Sequence, residues 1–97
     1  MIAGQDGDLE RERSFIIKNV LGIHARPAGL FAQTANKYKA QIIVEKNGLA
    51  VDGKSIMAVM MLGAGQGSTI VIRAKGEDAD SALDALGGII EGKFGEE

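Results

Sequence analysis

The sequence predicts an α+β fold, an open-faced β-sandwich whose four-stranded, mostly antiparallel sheet carries three helices on one face in the order β-α-β-β-α-β-α. Three observations predict it. Short runs rich in β-formers alternate with stretches whose apolar residues recur at three- and four-residue spacing. Asn47-Gly48 is the dipeptide that a type I′ hairpin prefers. Finally, 97 residues that are 45% hydrophobic and 25% charged supply one soluble core and leave no chain for a second.

Residues 1–13 (MIAGQDGDLERER) are polar and without apolar period, so a disordered leader is expected there. The folded domain is expected over residues 14–92, followed by a flexible tail, 93–97. Ser14–Lys18 reads as the first strand. Asn19–His24 is a loop, and the stripe Ala28, Phe31, Ala32, Ala35 predicts a helix from Ala25 to about Tyr38. Pro27 fits only its first turn, where the missing N–H costs nothing. Gln41–Glu45 and Leu49–Val51 are strands joined by the Asn-Gly turn. Ser55 is an N-cap ahead of a two-turn helix, Ile56–Leu62, that Gly63 stops. Ser68–Lys75 (STIVIRAK) is the strongest strand. Asp78 or Asp80 caps a last helix with the face Ala79, Ala82, Leu83, Leu86, Ile89 and Ile90.

Composition excludes several classes of function. The absence of cysteine removes disulfides, thiol catalysis and cysteine-ligated zinc. A single histidine rules out a multi-histidine metal site within one chain, so neither metal nor cofactor is expected. No apolar run approaches the roughly 18 residues of a membrane span, and the leader lacks a secretory core, so a cytoplasmic location is expected.

The only histidine and the only proline share one segment, Gly22-Ile23-His24-Ala25-Arg26-Pro27-Ala28. With a helix beginning at Ala25, His24 stands at the N-cap, beside backbone N–H groups that have no helical partner. Such a helix end favours negative charge and disfavours an imidazolium. A neutral imidazole there suits attack on a phosphoryl group and retention of the resulting dianion. Arg26 adds a permanent cation shaped for phosphate oxygens, and Gly22 lets the loop approach a bulky donor.

These residues resemble the active-site signature of HPr, the histidine-containing phosphocarrier family of the bacterial phosphoenolpyruvate-dependent sugar phosphotransferase system. The resemblance continues through Gln33–Tyr38, Lys54–Met60, Gly63 and Ala82–Leu86, so it covers Ser14 to about Glu91. It implies that His24 accepts a phosphoryl group on Nδ1 from enzyme I and passes it to an EIIA component, with Arg26 steadying the charge. It implies that Gly22, Ala25 and Pro27 form the loop around the phosphoryl group, and that the protein is a stoichiometric carrier, monomeric, with no catalytic turnover of its own. Ser55 resembles the regulatory serine that an HPr kinase/phosphorylase modifies in many members, a modification read by a transcriptional regulator. An alternative reading makes that switch the main function, with sugar transport secondary. Ile56, Met57 and Met60 lie on a helix too short to bury them all, and with Ala25 and Gly29 they are expected to form an adaptable partner-docking patch.

Two motifs mislead. Gly48–Ser55 satisfies the P-loop pattern, but Leu49-Ala50-Val51 reads as a returning strand and the helix after it is very short. Gly63–Gly67 echoes a dinucleotide loop yet leads into a strand. Lysines 18, 37, 39, 46 and 54 lack interleaved aromatics, so no nucleic-acid binding is expected. Charge is segregated along the chain. Residues 14–75 carry eight basic and two acidic side chains, whereas residues 76–97 carry one basic and seven acidic. A basic docking half and an acidic remainder are therefore expected.

Overall fold

The computed structural model describes residues 9–97. The strands are β1 (Glu10–Ile16), β2 (Gln41–Lys46), β3 (Leu49–Asp52) and β4 (Thr69–Lys75); the helices are α1 (Ala25–Ala35), α2 (Ile56–Met61) and α3 (Ala79–Glu91). They follow one another as β-α-β-β-α-β-α, as the sequence predicts. The sheet order is β1-β4-β2-β3, and every neighbouring pair is antiparallel. Alternation along the strands sends Ile42 and Val44 of β2, and Ile70, Ile72 and Ala74 of β4, to one face. That face meets Phe31 and Ala35 of α1, Val59 of α2, and Leu83, Leu86 and Ile90 of α3 in a single core. The other face of the sheet stays open.

The leader differs from expectation. Residues 1–8 lie outside the described residues, but Glu10–Arg13 belong to β1, in register with Lys75, Ala74, Arg73 and Ile72. Their period of two is carried by charge instead of apolarity. Arg11 and Arg13 turn toward α3 and pair with Asp80 (3.3 Å) and Asp84 (2.8 Å), while Glu12 meets Arg73 at 3.0 Å on the open face. Arg73 is shared with Glu45, 2.6 Å away, so its guanidinium is held above its ordinary value first by the bond to Glu45. Each such pair contributes little at an exposed site, but together they fix the register of a strand with little apolar surface.

The end of α1 also falls short of Tyr38. Asn36 caps it by donating its side-chain amide to the Ala32 carbonyl at 2.8 Å, and Lys37 and Tyr38 form a closing turn. The same amide donates to the Lys54 carbonyl at 3.0 Å, fastening the start of α2 beside the end of α1.

The tail is the largest departure. Residues 93–97, expected to be flexible, include a 3₁₀ turn at Lys93–Gly95 with Phe94 only 1% exposed in the core. Lys93, Phe94 and Gly95 all have positive φ (59°, 55° and 73°), which reverses the chain abruptly. For the two non-glycine residues that conformation costs roughly 1–2 kcal/mol each. Burying a phenylalanine returns about 1.5–3 kcal/mol, so the reversal depends on the further contacts made by Glu96 and Glu97.

Candidate functional site

The loop Asn19–His24 is held by its own polar groups. Asn19 is fully buried and donates its side-chain amide to the Gly22 carbonyl at 2.7 Å, while the Gly22 N–H returns to the Asn19 carbonyl at 3.1 Å. Gly22 has φ +70°, and a Cβ there would lie 2.5 Å from the Ala64 carbonyl oxygen and 2.7 Å from Gly65 Cα. Its conformational freedom serves this close packing against the Gly63–Gly67 connector, so Gly22 is buried in the fold instead of facing an incoming donor. The Ile23 N–H, donated to Ala64 at 2.8 Å, completes the join.

His24 occupies the N-cap of α1 with extended backbone (φ −86°, ψ −166°), and its ring makes no capping bond. Its carbonyl accepts from the Ala28 N–H at 2.9 Å, the first intrahelical bond. Pro27 is buried in the first turn, where no partner for an N–H exists, as expected. Ala25 is exposed, and the N–H groups of Ala25 and Arg26 have no partner among the described residues.

The ring itself is taken up by a residue from the far end of the chain. His24 Nε2 lies 2.8 Å from Glu96 Oε2, and the same oxygen accepts from Arg26 Nε at 3.0 Å and forms an ion pair with Nη2 at 2.9 Å. Arg26 Nη2 also donates to the Phe94 carbonyl, and Asn19 donates to Glu96 Oε1 at 3.0 Å. The Glu96 side chain is 18% exposed, against 39% for His24 and 54% for Arg26. Burial works against its charge, but the hydrogen bonds from Asn19, Arg26 and His24 outweigh that and hold the carboxyl below the usual carboxylate range. Neither Glu96 nor Asn19 is among the expected site residues. The Lys93-Phe94-Gly95-Glu96 run, an aromatic beside a glycine in a polar stretch, is the one signal that this segment docks.

Ser55 is the N-cap of α2, and its Oγ accepts from the Ala58 N–H at 3.2 Å. The P-loop pattern that ends on it forms no cradle: residues 49–52 are paired with β2, the Gly53 N–H donates to the Ile42 carbonyl at 2.8 Å, and Lys54 Nζ donates to the Tyr38 carbonyl at 2.7 Å. Of α2 only Val59 is buried. Met57 and Met61 are each 71% exposed, Ile56 44% and Met60 38%. Ala25 and Gly29 stand one turn apart on α1, and a Cβ on Gly29 would meet nothing within 4 Å. The start of α2 is tied to the end of α1 through Asn36, and the segment after α2 to His24's loop through Ala64, so the two helices run antiparallel. His24 and Ser55 therefore lie toward opposite ends of an 11-residue helix, about 16 Å long, with exposed Met side chains between them.

The expected division of charge is kept only in part. Of the basic stretch, Lys18 pairs with Glu91 and Arg26 with Glu96, while Asp80 and Asp84 pair with Arg11 and Arg13 of the first strand.

An open-faced sandwich presenting a histidine and an arginine at the start of a helix places the chain among small α+β domains. The comparisons with known proteins specify which. The family model described as PTS HPr component phosphorylation site matches residues 11–92. The phosphocarrier protein HPr of Cupriavidus necator is 45% identical over 85 residues, 88% of this chain and 96% of that protein. The HPr-like protein Crh of Halalkalibacterium halodurans is 44% identical over 80 residues, 82% of this chain and 95% of that protein. The crystal structure of HPr-C-His from Thermoanaerobacter tengcongensis matches with a TM-score of 0.86 and 50% identity, covering 90% of this chain and 98% of that one. The chain belongs to the HPr family, the phosphocarriers of the phosphotransferase system. Among the described residues no helix is long and apolar enough to cross a membrane.

Proposed function

We propose that this chain is a cytoplasmic, monomeric phosphocarrier that accepts a phosphoryl group from phosphorylated enzyme I on His24 and delivers it to an EIIA component. The observation that carries this reading is the position of His24 at the N-cap of α1, where Nδ1 has no partner among the described residues and the first-turn N–H groups and Arg26 lie close in sequence and space. The Nδ1 lone pair forms the new N–P bond as the bond to the donor breaks. Open N–H groups, the helix dipole and the Arg26 guanidinium then offset the dianion. The apolar surface of Ile56, Met57 and Met60, with Ala25 and Gly29, is suited to partners of differing shape because methionine side chains repack readily. Incubation with enzyme I and phosphoenolpyruvate should add one acid-labile phosphate per chain, and His24→Ala should abolish it. Labelling that survives the substitution rules this reading out.

A second reading concerns Ser55. Phosphorylation there by an ATP-dependent HPr kinase/phosphorylase would put two negative charges at the start of α2, received by open N–H groups but standing beside the exposed Ile56 and Met57. Such a charge would deter partners that need an apolar surface and attract a transcriptional regulator with basic side chains. The similarity to an HPr-like protein named Crh supports keeping this reading. Mass spectrometry after kinase and ATP, comparing wild type with Ser55→Ala, tests it.

A further inference from the structure

We propose that Glu96, aligned by Asn19, is a positioning residue that keeps the neutral His24 ring protonated on Nε2 and so leaves the Nδ1 lone pair available for phosphoryl transfer. The inference rests on the reading of His24 as the phosphoryl acceptor. Its basis is an inventory of donors and acceptors. An ionised carboxylate has no proton to give, so every group bonded to it must donate. Glu96 Oε1 takes an Asn19 N–H at 3.0 Å; Oε2 takes the Arg26 Nε–H at 3.0 Å and faces His24 Nε2 at 2.8 Å. Three converging donors keep the carboxyl ionised in a half-buried position, and Nε2 can satisfy the contact only as N–H. In a neutral imidazole that places the lone pair on Nδ1.

The carboxylate is itself fixed. Asn19 is fully buried and spends both amide protons, one on Gly22 of the histidine loop and one on Glu96. Phe94, inserted in the core two residues earlier, anchors the segment, and the Val20 N–H donated to the Glu97 carbonyl at 2.7 Å holds it from the other side. Orientation of an imidazole by an outer carboxylate is a general device; at metal sites, where the histidine is a ligand, loss of such a partner costs about 10–100-fold, and an effect of that order is expected here.

The test is a long-range ¹H–¹⁵N correlation spectrum of histidine-labelled protein with the ring neutral, together with single-turnover phosphorylation by phosphorylated enzyme I. Wild type should show Nε2 protonated and Nδ1 bare. Glu96→Gln keeps the size of the side chain, but its one accepting oxygen cannot serve both Asn19 and the His24–Arg26 pair. This variant should lose the predominance of the Nε2–H form and slow the transfer by roughly 10–100-fold. Glu96→Asp, which keeps the charge, should recover part of both. A wild-type ring protonated on Nδ1, a measurement that needs no variant, overturns the proposal; so does an unchanged tautomer ratio in Glu96→Gln. Wild type that shows the expected tautomer yet takes no phosphate refutes the carrier reading instead and leaves the proton placement standing.

Discussion

Glu96 Oε2 lies 2.8 Å from His24 Nε2, joining residues 72 positions apart in the chain. This contact puts the closing segment of the chain inside the candidate site, and it makes stability of the C-terminus and reactivity at the N-cap of α1 parts of one arrangement.

Arg26 has two tasks that a substitution can separate. It pairs with Glu96 in the resting protein and, as proposed, with phosphoryl oxygens after transfer. Arg26→Ala should slow phosphorylation by enzyme I by about tenfold or more, as expected when a charge-assisted bond of roughly 1.5–3 kcal/mol is lost from the transition state. Arg26→Lys should restore only part, because an ammonium cannot copy the planar fork. Rapid-quench measurement of phosphate arrival on the protein checks both.

Phe94→Ala should destabilise the fold by about 3 kcal/mol, the lower end for truncating a buried aromatic. Urea unfolding measures this. Because the two left-handed residues of the turn are then no longer offset, Glu96 should leave His24, and the ring tautomer should change in the folded state.

Gly22→Ala meets both a positive φ and a carbonyl oxygen 2.5 Å from the new Cβ. A loss of about 1–3 kcal/mol is expected from strain and displaced packing. Gly29→Ala is the control, since a Cβ there is unobstructed. It should be neutral or slightly stabilising in thermal unfolding, as alanine is the better helix former.

Asp78 predicts the acid limb of stability. Its carboxylate accepts from the Lys39 and Ala40 N–H groups, each at 2.8 Å. The Lys39 bond chiefly, against the cost of desolvation and with help from Ala40, holds its pKa below the ordinary value. A group whose folded pKa is depressed stabilises fully above its unfolded pKa and loses that contribution as pH falls through the folded value. Stability should therefore decline below about pH 4, with Glu96 contributing in the same window. Asp78→Asn should be less stable at neutral pH and show a flatter decline in acid, read from denaturation midpoints across pH.

Ser55→Ala removes the oxygen that accepts from Ala58 and should cost about 1 kcal/mol. In a domain of this size that is a fall of about 4–8 °C in Tm.

Much of this protein was legible in its sequence because the signals are local. Ser55 as an N-cap, Pro27 in a first turn and the Asn47-Gly48 hairpin each follow from one residue's conformational preference, and the apolar stripes of α1 and α3 from the helical period. His24 and Arg26 were legible as a pair because a histidine at an open helix start is chemically unusual. The errors share a cause as well. Glu10–Arg13 looked unstructured because its alternation is one of charge, and the α3 acids and Arg73 that make it a strand lie roughly 60–70 residues away.

By itself the sequence determined the order of elements, the core faces and the single histidine that is proposed as the phosphoryl acceptor. Tertiary structure alone decided which groups surround that residue. Phe94 enters the core only if a sheet and three helices have already built one, and the reversal that follows is stable only because Asn19, His24 and Arg26 wait to receive Glu96. The same folding brings acids of the closing segment against Arg11 and Arg13 of the first strand and against Lys18 and Arg26. Local preference acts over a few residues, whereas a half-buried carboxylate is favoured only where distant donors converge on it.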